Sequence, residues 1–363
     1  MKNTFGNNIS LTIFGESHGK SVGCVLDGMP AGIPVDYENI KRLLSLRRPS
    51  GAISTARSEE DDFEIHSGVF NGFTTGTPIC IIIPNKDTRS SDYENISHLA
   101  RPSHADYTAH IKYRGYEDPR GGGHFSGRIT AALVAAGGII IPALNKKGIA
   151  IGTHIASCAG VNDRGFENYG EDIDSLSSLA FAVLDADKAN EMHNGIIKAK
   201  ESLDSVGGIL ETAIIGLEAG VGEPWFDTLE GMLSHALFSI PAIKGIEFGA
   251  GFDFADMRGS IANDGFYTES GKVYTSTNNS GGINGGISNG MPIVLRCAVR
   301  PTPTIAQEQN TIDYVNLENA KLSAKGRHDP CIVHRARIVV DSVCAFVIAD
   351  ALSGKHGTDW LAL

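Results

Sequence analysis

The sequence predicts an α+β fold with helices layered against antiparallel sheets. Strand-length apolar or alternating runs come in clusters, helix-length segments lie between the clusters, and no regular βαβ alternation links the two. The strands are expected at 11–14, 23–26, 63–70, 78–83, 149–155, 209–217, 293–299 and 336–340. The first helix is expected at 37–46, where Ile40, Leu43 and Leu44 share a face. The second, 128–145, is Ala-rich and apolar nearly all round. It therefore reads as a central helix buried on several sides and bent by Gly137, Gly138 and Pro142. Helices are also expected at 187–202, 227–238 and 342–352. No repeat and no Pro/Ser-rich linker divides the chain, so residues 1–363 are expected to form one domain.

Composition narrows the class of protein. Hydrophobic residues make up 42% of the chain, enough for a substantial core. No uninterrupted run of about 18 apolar residues appears, so no stretch reads as membrane-spanning. The N-terminus lacks an apolar segment of signal-peptide length, which points to a cytoplasmic protein. The six cysteines lie far apart, without CxxC or Cys/His ligand spacing. They read as reduced core thiols, and no metal is expected. A formal net charge of -11 argues against nucleic-acid and anionic-membrane partners. Yet Arg47, Arg48, Arg101, Arg114, Arg120, Arg128, Arg327, Arg335 and Arg337 fall in stretches dense in Gly, Pro, His or Ser. Such placement suggests a confined site for a small anion, since guanidinium forks match phosphate and carboxylate oxygens.

Five blocks could carry chemistry. Gly15-Glu16-Ser17-His18-Gly19 follows a strand and could present Ser17 and His18 at a cleft. Arg101-Pro102-Ser103-His104-Ala105-Asp106 sets a histidine beside an arginine and a carboxylate. Arg120-Gly121-Gly122-Gly123-His124-Phe125-Ser126-Gly127-Arg128 leads into the long apolar helix. A Gly-rich turn before a helix N-terminus can cradle an anion, although neither P-loop nor dinucleotide spacing is present. Gly281-Gly282-Ile283-Asn284-Gly285-Gly286 precedes a strand that ends in Arg300-Pro301-Thr302-Pro303-Thr304. Finally, Arg327-His328-Asp329-Pro330-Cys331 gathers charge before a proline. Each block, taken alone, also reads as an ordinary turn, cap or hairpin.

Together and in this order, the blocks resemble the chorismate synthase family. Further matching pieces are Asp27-Gly28-Met29-Pro30, Ser67-Gly68-Val69-Phe70, Asp204-Ser205-Val206-Gly207-Gly208 and Gly220-Val221-Gly222-Glu223-Pro224. The resemblance implies a β-α-β sandwich and a homotetramer. It implies reduced FMN as cofactor and 5-enolpyruvylshikimate-3-phosphate as small-molecule substrate. The implied reaction is a 1,4-elimination of the 3-phosphate and a C6 hydrogen to give chorismate, with no net redox change. This is the last common step of aromatic amino-acid biosynthesis.

By position, the resemblance makes His18 the proton donor to the departing phosphate and His104 the proton donor to the reduced flavin. Ser17, Ser126 and Asp329 join them as catalytic candidates. Arg47, Arg101, Arg128 and Arg327 match substrate-binding arginines. Flavin contacts would fall at Arg47, His124, Phe125, Ser126, Ala242, Gly285, Arg300, Pro301, Thr302, Pro303, Thr304 and Arg327. Two departures stand out. His124 and Phe125 replace the family's usual Arg-Ser, and the arginine linked to pyridine nucleotide in the family pattern near position 53 is absent there, Ile53 standing in its place. The second departure implies that an external NADPH-dependent flavin reductase supplies the reduced cofactor.

Overall fold

The computed structural model describes residues 2–49, 51–54, 60–86, 98–323 and 329–363. Arg327 lies outside them. The first sheet comprises β1 (Thr4–Phe5), β2 (Ser10–Gly15), β3 (Ser21–Asp27), β4 (Glu64–Ser67) and, after a ribbon of β5 (Val69–Phe70) and β6 (Phe73–Thr74), β7 (Ile79–Pro84). Its order is β1-β2-β3-β7-β4, with antiparallel neighbours throughout. The second sheet comprises β8 (Ala150–Cys158), β9 (Val161–Asn162), β10 (Gly208–Ile215) and β11 (Ile243–Phe248). Two hairpins intervene, β12 (Phe266–Glu269) with β13 (Lys272–Thr275) and β14 (Ile283–Asn284) with β15 (Ile287–Ser288), before β16 (Ile293–Val299) joins it. The order is β11-β16-β10-β8-β9, again antiparallel. A separate ribbon, β17 (Gln309–Asp313) with β18 (Glu318–Leu322), follows.

The helices are α1 (Tyr37–Arg47), α2 (Asp106–Tyr113), α3 (Thr130–Lys146), α4 (Tyr169–Leu176), α5 (Ala186–Glu201), α6 (Leu229–Leu237), the short α7 (Gly259–Ala262) and α8 (Val333–His356). Helix α3 packs on β3 and β7 of the first sheet, α8 packs on β8 and β10 of the second, and the two helices pack on each other. The result is the expected sandwich of sheet, helices and sheet. Period-two alternation explains how the sheets face inward. In β7, Ile79, Ile81 and Ile83 are fully buried while Cys80 and Ile82 are half-buried on the other face.

Three readings of the sequence are corrected. Residues 336–340 are not a strand but part of α8, which is buried on nearly every side. A short apolar run with no polar face has no period that tells strand from helix. Gly137 and Gly138 serve close approach. A Cβ on Gly137 would lie 2.5 Å from Ser342 of α8, and one on Gly138 2.7 Å from Ile40 of α1. Third, the segment Gly127–Lys146 does reach membrane-spanning length and apolarity, and 72% of its apolar window is buried inside the protein. Its Gly, Thr and Pro residues hide this from a search for unbroken apolar runs. The helices at 106–113 and 169–176 were not expected from the sequence. Both are eight residues long and carry few buried side chains.

Candidate functional site

Strand β2 delivers the first block. Its last residue, Gly15, has φ 98° and abuts the backbone of Ser21 and Val22, so a side chain there would collide with β3. Ser17 and His18 follow, both buried. Ser17 Oγ donates to the Arg120 carbonyl at 3.3 Å and lies 3.2 Å from His18 Nδ1. With its own hydrogen used, the hydroxyl accepts from Nδ1–H.

The glycine triplet is a seat for two imidazoles. Gly121, Gly122 and Gly123 all have positive φ. A Cβ on Gly121 would stand 2.0 Å from His18 Cε1, and one on Gly122 3.3 Å from His104 Cε1. Consecutive glycines therefore bring His18 and His104 against one turn, although 86 residues of sequence separate them. The expected anion cradle takes a different form: the turn offers missing side chains rather than a fan of free amides. The Gly122 N–H already donates to Pro119 O at 3.5 Å, and Gly123 O accepts from Ser17 N at 3.1 Å.

His104 belongs to a closed charge group. Its Nδ1 donates to Asp106 Oδ1 at 2.7 Å. Arg101 clamps the same carboxylate with Nε at 2.8 Å and Nη2 at 2.7 Å, and its backbone N–H adds a third bond at 2.9 Å. Burial pushes the Asp106 carboxyl up, but the hydrogen bonds from Arg101 and His104 outweigh it and hold the group ionised, well below the usual range. With Nδ1 anchored, His104 turns Nε2 toward Gly122 and a cavity of ≈ 390 Å³. Arg101, His104, His124 and Phe125 all line that cavity. His124 Nδ1 donates to Gly15 O at 2.8 Å, and Phe125 meets the Tyr113 ring edge-on at 6.1 Å.

Arg47 and Arg128 form a second group around Asp61, which sequence reading missed. Asp61 has a fully buried side chain, receives Arg47 Nη2 at 2.7 Å and also pairs with Arg128 Nη1. Burial raises its carboxyl, but Arg47 and then Arg128 pull it below the ordinary range. Asn85 ties this group to the first block: its Oδ1 accepts from Arg128 Nε at 2.9 Å, and its Nδ2 donates to Glu16 O and Gly19 O. Ser126 Oγ caps the turn by accepting from Arg128 N at 3.2 Å. Asp329 Oδ2 accepts from Arg335 Nη1 at 2.7 Å, and Arg335 Nε donates to Arg47 O at 2.8 Å. Arg101, Arg120, Arg335 and Arg337 thus each pair with a carboxylate of their own among the described residues, while Arg47 and Arg128 share Asp61. The Arg337–Asp341 pair lies in the core.

The remaining flavin candidates lie elsewhere. Arg300 N donates to Ala242 O at 3.0 Å, and Thr302 O accepts from Ser205 Oγ at 2.7 Å. Val206 N in turn donates to Pro330 O at 2.8 Å, so the 205–206 segment links residues 300–304 to the stretch that carries Asp329. Arg300 Nε and Thr302 Oγ1 are buried and make no hydrogen bond to the described residues. Gly285 has φ 63° and open space where a Cβ would stand. Neither Ala242, Gly285 nor 300–304 borders the ≈ 390 Å³ cavity.

Comparison with known proteins follows this geometry. The family model described as chorismate synthase matches residues 9–353. The chain is 46% identical over 351 residues to the chorismate synthase of Korarchaeum cryptofilum, covering 95% of this chain and 96% of that one. It is also 46% identical over 347 residues to that of Thermococcus gammatolerans, covering 96% of each. A crystal structure of chorismate synthase superposes with a TM-score of 0.76 at 30% identity, covering 97% of this chain and 94% of the other.

Proposed function

The chain belongs to the chorismate synthase family, and from that premise we propose that it is a carbon–oxygen lyase. It eliminates the 3-phosphate and a C6 hydrogen from 5-enolpyruvylshikimate-3-phosphate, giving chorismate with reduced FMN and no net redox change. The observation that carries this reading is the pair of histidines seated on consecutive glycines beside the Arg101–Asp106 clamp.

The residues divide the work as follows. Anchored through Nδ1 to Asp106, His104 exchanges its proton at Nε2, the nitrogen nearer the cavity. His18 is oriented through Nδ1 by Ser17, which leaves Nε2 as its proton-transfer atom toward the departing phosphate. Arg47 and Arg128 converge on Asp61, and their guanidinium forks suit the oxygens of an anionic substrate. Asp329 acts through Arg335, holding it against the backbone of Arg47. The buried Arg300 Nε and Thr302 Oγ1 fit the polar part of a flavin mononucleotide, with Ala242, Gly285, Pro301, Pro303 and Thr304 beside them in the proposed contact set. When bound in reduced form, that cofactor supplies electron density as phosphate leaves and recovers it afterwards.

The proposal includes flavin reduced by an external NADPH-dependent reductase and one domain over residues 1–363, the latter supported by a core cluster running from Ile9 to Leu361. It also includes a homotetramer. Exposed Trp225, Phe226 and Phe252 support self-association. Purified protein with 5-enolpyruvylshikimate-3-phosphate and chemically reduced FMN, held anaerobic, should form chorismate without net flavin oxidation. No chorismate, or stoichiometric flavin oxidation, rejects the reading.

A further inference from the structure

Cys158 ends β8 and Cys331 stands just before α8. Their sulfurs are 3.6 Å apart, and both residues are fully buried. We propose that they form a redox-sensitive pair, which a peroxide converts into an intramolecular disulfide that displaces Asp329 from Arg335. The inhibitory half of this proposal rests on the reaction proposed above.

Several features of the surroundings favour the chemistry. The hydrogen bond from the Cys158 thiol holds Cys331 below the usual thiol range, against the opposing effect of burial, and His334 adds to the lowering. The same hydrogen bond and burial push Cys158 up, so one sulfur is the nucleophile and the other the resolving thiol. His334 is itself positioned: its Nε2 lies 2.9 Å from Ser54 Oγ, and its buried Nδ1 makes no hydrogen bond to the described residues.

The steps balance with the peroxide as oxidant. The Cys331 thiolate attacks one oxygen of hydrogen peroxide, the O–O bond breaks, a sulfenic acid forms, and the departing hydroxide takes up the proton that the Cys331 thiol released, leaving as water. The Cys158 sulfur then attacks the sulfenic sulfur, its proton leaves with the displaced hydroxide as a second water, and the S–S bond closes. Two thiols lose two electrons and one peroxide gains them.

Geometry decides which side moves. A disulfide needs about 2.05 Å between sulfurs, so the pair must close by about 1.5 Å. Cys158 is pinned in the sheet, paired with Gly208 of β10 and Val161 of β9. Cys331 lies outside any strand, between the start of α8 and Pro330, whose carbonyl accepts from Val206 N. The displacement therefore falls on the stretch that carries Asp329.

The test uses reduced full-length protein treated with hydrogen peroxide, alkylated and digested without reductant. One cross-linked peptide joining Cys158 to Cys331 is expected, and the thiol count in denaturant should fall by two from the six cysteines present. Chorismate formation should drop about 10²-fold, the usual cost of misplacing a site by about 1 Å, and dithiothreitol should restore it. Cys158→Ser should keep its turnover through peroxide treatment, with Cys158→Ala as a second variant if the serine protein misfolds. A cross-link elsewhere, such as Cys24 to Cys80, or sulfinic acid without any cross-link overturns the proposal. So does the expected cross-link with undiminished turnover. If the reduced protein makes no chorismate, the proposed reaction fails, while the peptide map still decides whether the pair closes.

Discussion

His104 and His154 are both held by carboxylates, yet they are built for different ends. His104 has one nitrogen on Asp106, a partly exposed side chain and a cavity in front of it. His154 has both nitrogens occupied, Nδ1 2.9 Å from Asp163 and Nε2 3.0 Å from Glu211, and its side chain is fully buried. Burial lowers its proton affinity, but the bonds to Asp163 and Glu211 more than reverse that, and they lock the ring across the second sheet. A carboxylate partner by itself therefore does not mark a proton-transfer histidine. What separates the two rings is that His104 has one nitrogen outside its carboxylate bond and borders the cavity, whereas His154 has neither.

The sharpest way to break this comparison is to remove each ring. His104→Ala should fold with an unchanged melting temperature and lose roughly 10²–10⁴ in anaerobic turnover, the usual contribution of one positioned acid or base. His154→Ala should lose stability and keep most of its turnover per folded molecule. If the two variants behaved alike, the occupied second nitrogen would not be what separates them.

The arginines allow the same contrast, with stability as the larger readout. Arg128→Ala leaves the fully buried Asp61 with Arg47 alone. Losing one charge-assisted hydrogen bond to a buried carboxylate costs about 1.5–3 kcal/mol, which urea unfolding would register. Adding Asp61→Asn should deepen that loss, because the buried Arg47 then loses its carboxylate partner as well. An additive double variant would show that the two groups are not coupled.

His154 also predicts a pH dependence. A histidine whose folded proton affinity is raised adds stability that is complete below its unfolded value of about 6.5 and fades as pH rises through its higher folded value. The melting-temperature gap between wild type and His154→Gln, expected to correspond to about 1–3 kcal/mol, should thus be widest near pH 6 and narrow toward pH 9. A gap that widens with pH would mean the ring is held neutral.

The comparison also shows what was legible in the sequence. His18 and His104 were readable because they lie in turns of Gly, Pro and Ser that suit no core. The glycine triplet was readable because packing seldom calls for three such residues in a row. Asp61 was not: it stands in the acidic run Glu59-Glu60-Asp61-Asp62, which reads as a solvated face, and its partners lie 14 and 67 residues away. Asn85 was hidden for the same reason. The sandwich was visible in its strand clusters, whereas α8 was read as part strand because its buried apolar run shows no polar face. His154 passed unnoticed because its carboxylates are supplied by neighbouring strands and loops, which no local pattern encodes.

The smallest effect belongs to His124. Its Nδ1 donates to Gly15 O, at the root of the loop that carries Ser17 and His18, while the ring borders the cavity. Two roles are therefore superposed: an anchor through one nitrogen and a cavity wall through the rest of the ring. Asparagine separates them, since its amide nitrogen can take the place of Nδ1 while the far side of the ring is lost. Losing one neutral hydrogen bond is worth about 1 kcal/mol, or roughly fivefold in a binding constant. If anchoring dominates, His124→Ala should weaken reduced-FMN binding about fivefold, and His124→Asn should stay within about twofold of wild type, because the bond to Gly15 survives. Anaerobic titration of the three proteins decides between the roles. Equal weakening in both variants would move His124 from the frame of the site to its contact surface, and place it with His104 among the rings that meet the ligand.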